Sequence, residues 1–186
     1  MENLNGKTIA ILATDGFEQT ELTEPRKMLK DAGATVHVVS PQPGEIRGWD
    51  HTDWGGSVPV DKTLDEASAA DYDAVVLPGG QINPDLLRVE PKAIAFIKAF
   101  HDAGKPIGAI CHAPWLLIEA GIVKGRRMTS YHSIRTDLAN AGADVKDEAA
   151  VVDEGIVTSR NPRDIGAFAN AVAAEVASGK TYQRAA

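Results

Sequence analysis

The stretch Pro106-Ile107-Gly108-Ala109-Ile110-Cys111-His112-Ala113-Pro114 decides the fold. A compact apolar run bounded by Pro106 and a turn reads as a short buried strand. Pro114 suits a first helical turn, and the apolar Trp115-Leu116-Leu117-Ile118 continues it. Between strand and helix stands Cys111, the chain's one cysteine. A strand-to-helix elbow lifts a side chain above the sheet edge. The G-x-S-x-G elbow does this with small residues two places either side of its nucleophile, and here those places hold Ala109 and Ala113. Free amides and the helix dipole at such a turn favour thiolate over thiol. The competing reading is a small buried apolar residue, the usual fate of a lone intracellular cysteine.

Around this elbow the chain alternates strands and helices. Thr8 to Ala13 is an apolar run without helical period, a fully buried first strand. Glu18 to Ala32 reads as a helix with Leu22, Pro25, Met28 and Leu29 on one face and Gly33 as its stop. Thr35 to Val39 is a second strand, so the opening is a βαβ unit and the sheet is parallel. Ala74 to Leu77, stopped by Pro78-Gly79-Gly80, is another buried strand, and Pro91 to Ala103 another helix. The segments Ala149–Val152 and Ile156–Ser159 flank Asp153-Glu154-Gly155, a hairpin signal. Pro162 to Ala177 is a closing helix. Ser40 to Gly56 reads as an irregular loop with Ser57 to Asp61 a short strand after it, and loops of that length are often functional.

The 186 residues suffice for one domain over 1–186, with termini 1–6 and 178–186 frayed. At 44% hydrophobic the composition is that of a globular protein. A net charge of −7 with no basic block argues against nucleic acid or an anionic membrane as partner. One cysteine forbids an internal disulfide, and no signal core or spanning run occurs, which together fit a reducing cytoplasm.

Ligands of an open parallel sheet bind beyond the carboxyl ends of its strands. Asp15 to Glu18, Pro78 to Gly80, and Cys111-His112 all sit at such ends. Neighbouring strands would bring Glu18, the Gly79-Gly80 backbone and Cys111 together, with the Gly80 and His112 amides as an oxyanion hole. Glu18 is either a first-turn carboxylate favoured by the helix dipole or, if burial raises its pKa, a proton donor to the sulfur. His112, next to Cys111 in sequence, needs an orienting carboxylate to act as its base, and Asp85 in the loop after the double glycine is the candidate. Asp85 reads equally well as a helix-start residue behind Pro84. Trp49, His51, Asp53 and Trp54 either line a site mouth or pin a loop, and His51-x-Asp53 lacks the remaining ligands of a metal site. His37 and His101 belong to structure. No Walker loop or dinucleotide fingerprint appears.

These residues carry a resemblance to the PfpI/ThiJ family, in its branch of intracellular proteases and stress proteins. The matching pieces are Gly16-Phe17-Glu18-Gln19-Thr20-Glu21-Leu22, Val76-Leu77-Pro78-Gly79-Gly80, Ile110-Cys111-His112-Ala113-Pro114, Gly125 to Tyr131, and Val157 to Pro162. The resemblance implies an α/β, flavodoxin-like three-layer sandwich with a mostly parallel central sheet. It implies Cys111 as nucleophile with Glu18 bonded to its sulfur, His112 as catalytic partner, and an acidic residue, Asp85, reaching that histidine across a subunit interface. The expected assembly is a homodimer, with hexamers also known in the family, and no cofactor or metal. Two departures stand out: Ala113 replaces the family's glycine after Cys-His, and Asp85 lies one residue further from Gly80 than the family's acid. The Trp49 to Gly56 loop is also longer than usual. A related glutaminase fold requires a distal His-x-Glu, but His132 is followed by Ser133 and Ile134, which excludes it. The implied activity is cysteine-dependent chemistry on reactive carbonyls such as methylglyoxal or its adducts. Peptide hydrolysis, and redox sensing or holdase action through an oxidisable Cys111, are the alternatives.

Overall fold

The computed structural model describes residues 1–182. Strands β1 (Thr8–Leu12), β2 (Phe17–Glu18), β3 (Thr35–Ser40), β4 (Glu45–Asp50), β5 (Asp53–Pro59) and β6 (Lys62–Thr63) come first, with helix α1 (Gln19–Asp31) between β2 and β3. Then follow β7 (Ala74–Leu77), α2 (Ile82–Arg88), α3 (Pro91–Asp102), β8 (Ile107–Ile110) and α4 (Pro114–Glu119). The last third holds β9 (Arg127–Met128), α5 (Arg135–Asn140), β10 (Asp144–Val145), β11 (Ala150–Asp153), β12 (Ile156–Ser159) and α6 (Ile165–Ser178).

Seven strands form the central sheet in the order β11-β12-β8-β7-β1-β3-β6. Every pair is parallel except β11 with β12, which is the hairpin around Asp153-Glu154-Gly155. The register sets β1 centrally, with Ile11 opposite Val38 on one side and Val76 on the other. Strands covered on both faces are apolar throughout, as a parallel sheet requires. The two-residue side-chain period then divides them between two cores. Ala10 and Leu12 join α3 and α4 (Phe96, Phe100, Leu116, Leu117) on one face. Ile9 and Ile11 join α1 and α6 (Leu22, Leu29, Phe168, Val172) on the other. The result is the flavodoxin-like three-layer arrangement. Gly108 on β8 permits close packing of α6, since a Cβ there would lie 2.7 Å from Val172 Cγ2.

Three local expectations change. The segment 40–56 is no irregular loop: β4 and β5 form an antiparallel hairpin, and β4 also pairs with β2, so Glu18 lies opposite Trp49. The hairpin turns at His51, whose φ is 56°. Residues 1–6 are not simply frayed, because Leu4 is fully buried and its amide bonds the Ala32 carbonyl at 2.8 Å. Nor is the tail loose as far as Tyr182, whose amide bonds the Gly104 carbonyl and whose hydroxyl bonds Glu175. The rest of the expected frayed segment, 183–186, lies outside the described residues. No helix among the described residues is long and apolar enough to cross a membrane.

Candidate active site

The strand ends of β1, β7 and β8 are neighbours in the sheet, so their following turns share one place. Cys111 follows β8 with φ 64°, a left-handed conformation rare for a side-chain-bearing residue. The surroundings hold it there. Its amide bonds the Ser159 carbonyl at 3.0 Å, its carbonyl accepts from the Tyr131 amide at 2.8 Å, and the Ala113 amide closes onto Ile110 at 3.0 Å. Ala113 is fully buried, so the elbow accommodates the extra methyl group.

The Pro78-Gly79-Gly80 turn is fixed by Asn83, whose amide donates to the carbonyls of Pro78 and Gly79 and whose oxygen accepts from Thr14 N. Gly80 has φ 80°, and a Cβ there would sit 2.5 Å from Gly16 O and 2.7 Å from Glu18 N, so only glycine fits. The amides of Gly80 and His112 both point at the sulfur. The Gly79 amide does not join them: it donates to Glu21 Oε2 at 2.9 Å. The amide cradle is therefore that of Gly80 and His112, and the Gly79 backbone instead anchors an acid.

That acid corrects a second expectation. Glu21, not Glu18, is the carboxyl hydrogen-bonded to the Cys111 thiol. One helical turn separates the two residues, and α1 presents Glu21 inward beside Leu22, Pro25 and Leu29, leaving it with no exposed surface. Burial raises its pKa to about 8, against the downward pull of the bonds to Cys111 and Gly79. Glu21 is thus a protonated acid at neutral pH. Glu18 stands further out, lining the same cavity, with its pKa raised by burial and by Asp50 against the pull of His51.

Burial also pushes the Cys111 thiol up, and a charge on Glu21 would push it further, against the two amides. The resting site therefore holds a thiol, and the amides and dipole do not outweigh desolvation as the sequence reading supposed. His112 Nδ1 lies 3.2 Å from the sulfur and Nε2 lies 3.2 Å from Ser133 Oγ. Burial lowers the His112 pKa to about 4, with His132 acting in the same sense, so the ring is neutral. Tyr131 stacks on it at 4.7 Å and Trp115 meets it edge-on at 5.3 Å.

A cavity of about 380 Å³ opens over these groups, walled by Glu18, Glu21, Cys111 and His112 and on the outside by Trp49 and His51 of the hairpin. Trp49 packs against Trp54 edge-to-face at 5.5 Å, so Trp54 buttresses the wall from behind. Asp53 belongs to the hairpin turn, accepting from the Trp54 amide. Among the described residues, Asp50, His51 and Glu18 each offer a ligand atom within 4.8 Å of the others, a grouping that could hold a metal ion. Asp85 does not reach His112 within the chain. It is exposed on α2, in a groove lined also by Leu86 and Trp115. Of the histidines set aside, His37 faces the Tyr72 hydroxyl and His101 the buried Arg126.

Glu21 and Ser133 are the residues the sequence reading did not single out. Glu21 left a trace: it is a carboxyl on the apolar stripe of its helix. Ser133 left none, because it depends on the path of the chain after β9.

A family model described as DJ-1/PfpI family matches residues 7–175. General stress protein 18 of Bacillus subtilis (strain 168) is 45% identical over 165 residues, covering 88% of this chain and 94% of the relative. Deglycase TK1284 of Thermococcus kodakarensis is 44% identical over 160 residues, covering 86% and 93%. Among solved structures, a two-domain protein of Anabaena variabilis containing DJ-1/ThiJ/PfpI-like and ferritin-like domains superposes with a TM-score of 0.86 at 36% identity, over 96% of this chain and 50% of that one.

Proposed function

The chain belongs to the DJ-1/PfpI family, and from that premise we propose that it is a cysteine-dependent, stress-protective enzyme that hydrolyses methylglyoxal or its early adducts on amines. The observation that carries the reading is the convergence of a thiol, a protonated buried carboxyl and two amides in a cavity of small-molecule size. The relative named a deglycase supports the same chemistry.

Cys111 sulfur adds to the aldehyde carbon. The thiol proton passes to His112 Nδ1, 3.2 Å away, and the aldehyde oxygen takes a proton from Glu21, giving a hemithioacetal. The Gly80 and His112 amides receive the oxygen as charge develops on it. Glu21, now a carboxylate, removes the proton from the former aldehyde carbon while the neighbouring carbonyl oxygen takes the proton held by His112, which gives an enediol. Glu21 then delivers its proton to the neighbouring carbon and takes back the hydroxyl proton of the first carbon, which becomes the thioester carbonyl. The product of that shift is a lactoyl thioester, which one water hydrolyses to lactate and free thiol. With an amine adduct as substrate, sulfur displaces the amine, which leaves with the proton held by His112. A carboxyl whose pKa is about 8 suits both directions of transfer near neutral pH.

The assay is lactate release from methylglyoxal, and amine release from methylglyoxal-treated N-acetylarginine, without glutathione or added metal. Wild-type turnover that vanishes in Cys111→Ser supports the reading, and turnover that survives this change rejects it. Peptide hydrolysis by the same thiol would instead appear as cleavage of a fluorogenic peptide. The proposal includes a homodimer across α2, where Leu86 is 48% and Val89 77% exposed beside Asp85. Sedimentation of wild type and Leu86→Glu tests it.

A further inference from the structure

We propose that Glu18, with the Trp49 indole beside it, is a cation subsite at the mouth of the Cys111 cavity, so that the enzyme selects adducts whose amine portion keeps a positive charge, guanidinium adducts first, over neutral ones. The inference rests on the carbonyl chemistry proposed for Cys111 and names the substrate that chemistry takes.

A cavity of about 380 Å³ has more room than a three-carbon aldehyde fills. The remainder receives whatever the aldehyde is attached to, and the outer wall decides what that is. Glu18 and His51 line this part, and Asp50 joins them, the ligand atoms of the three lying within 4.8 Å of one another. His51 Nε2 stands 3.8 Å from Asp50 Oδ1. Two carboxylates against one imidazole leave the mouth negative. Among the described residues no lysine or arginine lines the cavity. Arg47 of the hairpin is committed elsewhere: its Nε donates to Gly55 O, and its guanidinium lies 5.6 Å from the Trp54 ring centre.

Glu18 is short of a partner. Its Oε1 is closed off from bulk solvent and accepts no hydrogen bond. Such an oxygen is costly until a donor comes to it. The last torsion of a glutamate is broad, so either oxygen can turn to a ligand. A guanidinium brings two N–H groups in one plane and also stacks on aromatic rings. Trp49 is half-buried and lines the same cavity. Its Nε1–H is spent on His51 O at 3.0 Å, so what it offers a ligand is the ring.

The position suits the reaction. Glu18 and Glu21 are three residues apart at the start of α1, a rise of about 4.5 Å, with Glu21 bonded to the thiol and Glu18 further out. In an arginine adduct of methylglyoxal the guanidinium carbon is two bonds from the carbon that sulfur attacks. With that carbon on Cys111, the cation comes within reach of Glu18. Its charge holds the carboxylate ionised against the burial that raises its pKa. A free aldehyde carries no such group and gains nothing from Glu18.

The test compares two isosteric probes, N-acetylarginine methylamide and N-acetylcitrulline methylamide, whose ureido group is neutral. Each is titrated against the rate of Cys111 alkylation by iodoacetamide, a neutral reagent, at pH 7 with a chelator present, in wild type, Glu18→Gln and Asp50→Asn. Protection of the thiol reports binding in this cavity alone, and a wild-type rate without probe shows that each variant is intact. Wild type should bind the arginine probe about tenfold more tightly than the citrulline probe, as expected of a charged hydrogen bond at a partly solvated site. The preference should fall below about twofold in Glu18→Gln and stay within about threefold of wild type in Asp50→Asn. Equal binding of the two probes by wild type, a preference that survives Glu18→Gln, or one lost equally in Asp50→Asn overturns the proposal. Neither probe carries a methylglyoxal group, so failure of the proposed activity and failure of the subsite are separately visible.

Discussion

Replacing Glu21 by glutamine should stabilise the protein increasingly as pH rises, while abolishing carbonyl turnover. Glu21 has no exposed surface, and its folded pKa of about 8 stands above the ordinary 4.5. A raised carboxyl pKa means that the folded state holds a proton the unfolded state has released. Stability from this group is therefore full below pH 4.5 and is lost progressively up to about pH 8. Within that window the slope is about 1.4 kcal/mol per pH unit. Between pH 5.5 and 7.5 the wild type should lose about 3 kcal/mol through Glu21 alone. Glutamine keeps the shape and, through its amide oxygen, the bond from Gly79 N, but does not titrate. Urea unfolding at both pH values, at one fixed protomer concentration, measures the effect. The variant's advantage should widen by about 3 kcal/mol over the two pH units. A gap that stays constant with pH would show that Glu21 is not protonated in the folded state, and the acid role would fall with it.

Gly80→Ala places a methyl group 2.5 Å from Gly16 O at a φ of 80°, so it should destabilise by about 2 kcal/mol or more and lower the melting temperature. A variant that melts with wild type would remove the argument for this turn. Trp49→Ala takes away one wall of the cavity without touching the sulfur. It should raise KM severalfold and leave kcat within about twofold, and the reverse pattern would assign Trp49 to the chemistry.

The parallel sheet was legible because each central strand is a short apolar run without helical period, and buried strands need nothing more. The hairpin β4–β5 was not. Of β4, Ile46 and Gly48 face inward, and a glycine does not register as apolar in an alternation; β5 buries Val58 alone. The elbow and the double-glycine turn could be read from local chemistry, since small residues and glycines declare close approach. Choosing between Glu18 and Glu21 required the phase of α1, and the apolar residues Leu22, Pro25 and Leu29 already placed Glu21 inward. The direction of the Gly79 amide and the arrival of Ser133 beside His112 depend on contacts 58 and 21 residues apart in sequence. No local pattern encodes these. The anchored ends escaped notice for the same reason, each depending on one residue, Leu4 or Tyr182, finding a distant backbone partner.

The measurement that bears most directly on the account is carbonyl turnover from methylglyoxal by wild type, Cys111→Ser, Glu21→Gln and Glu18→Gln, run side by side on folded protein. The account predicts turnover in wild type, its loss in Cys111→Ser and Glu21→Gln, and its retention within about tenfold in Glu18→Gln, because Glu18 lines the cavity without bonding the sulfur. Activity that survives in Cys111→Ser, or that depends on Glu18 and not on Glu21, would contradict it.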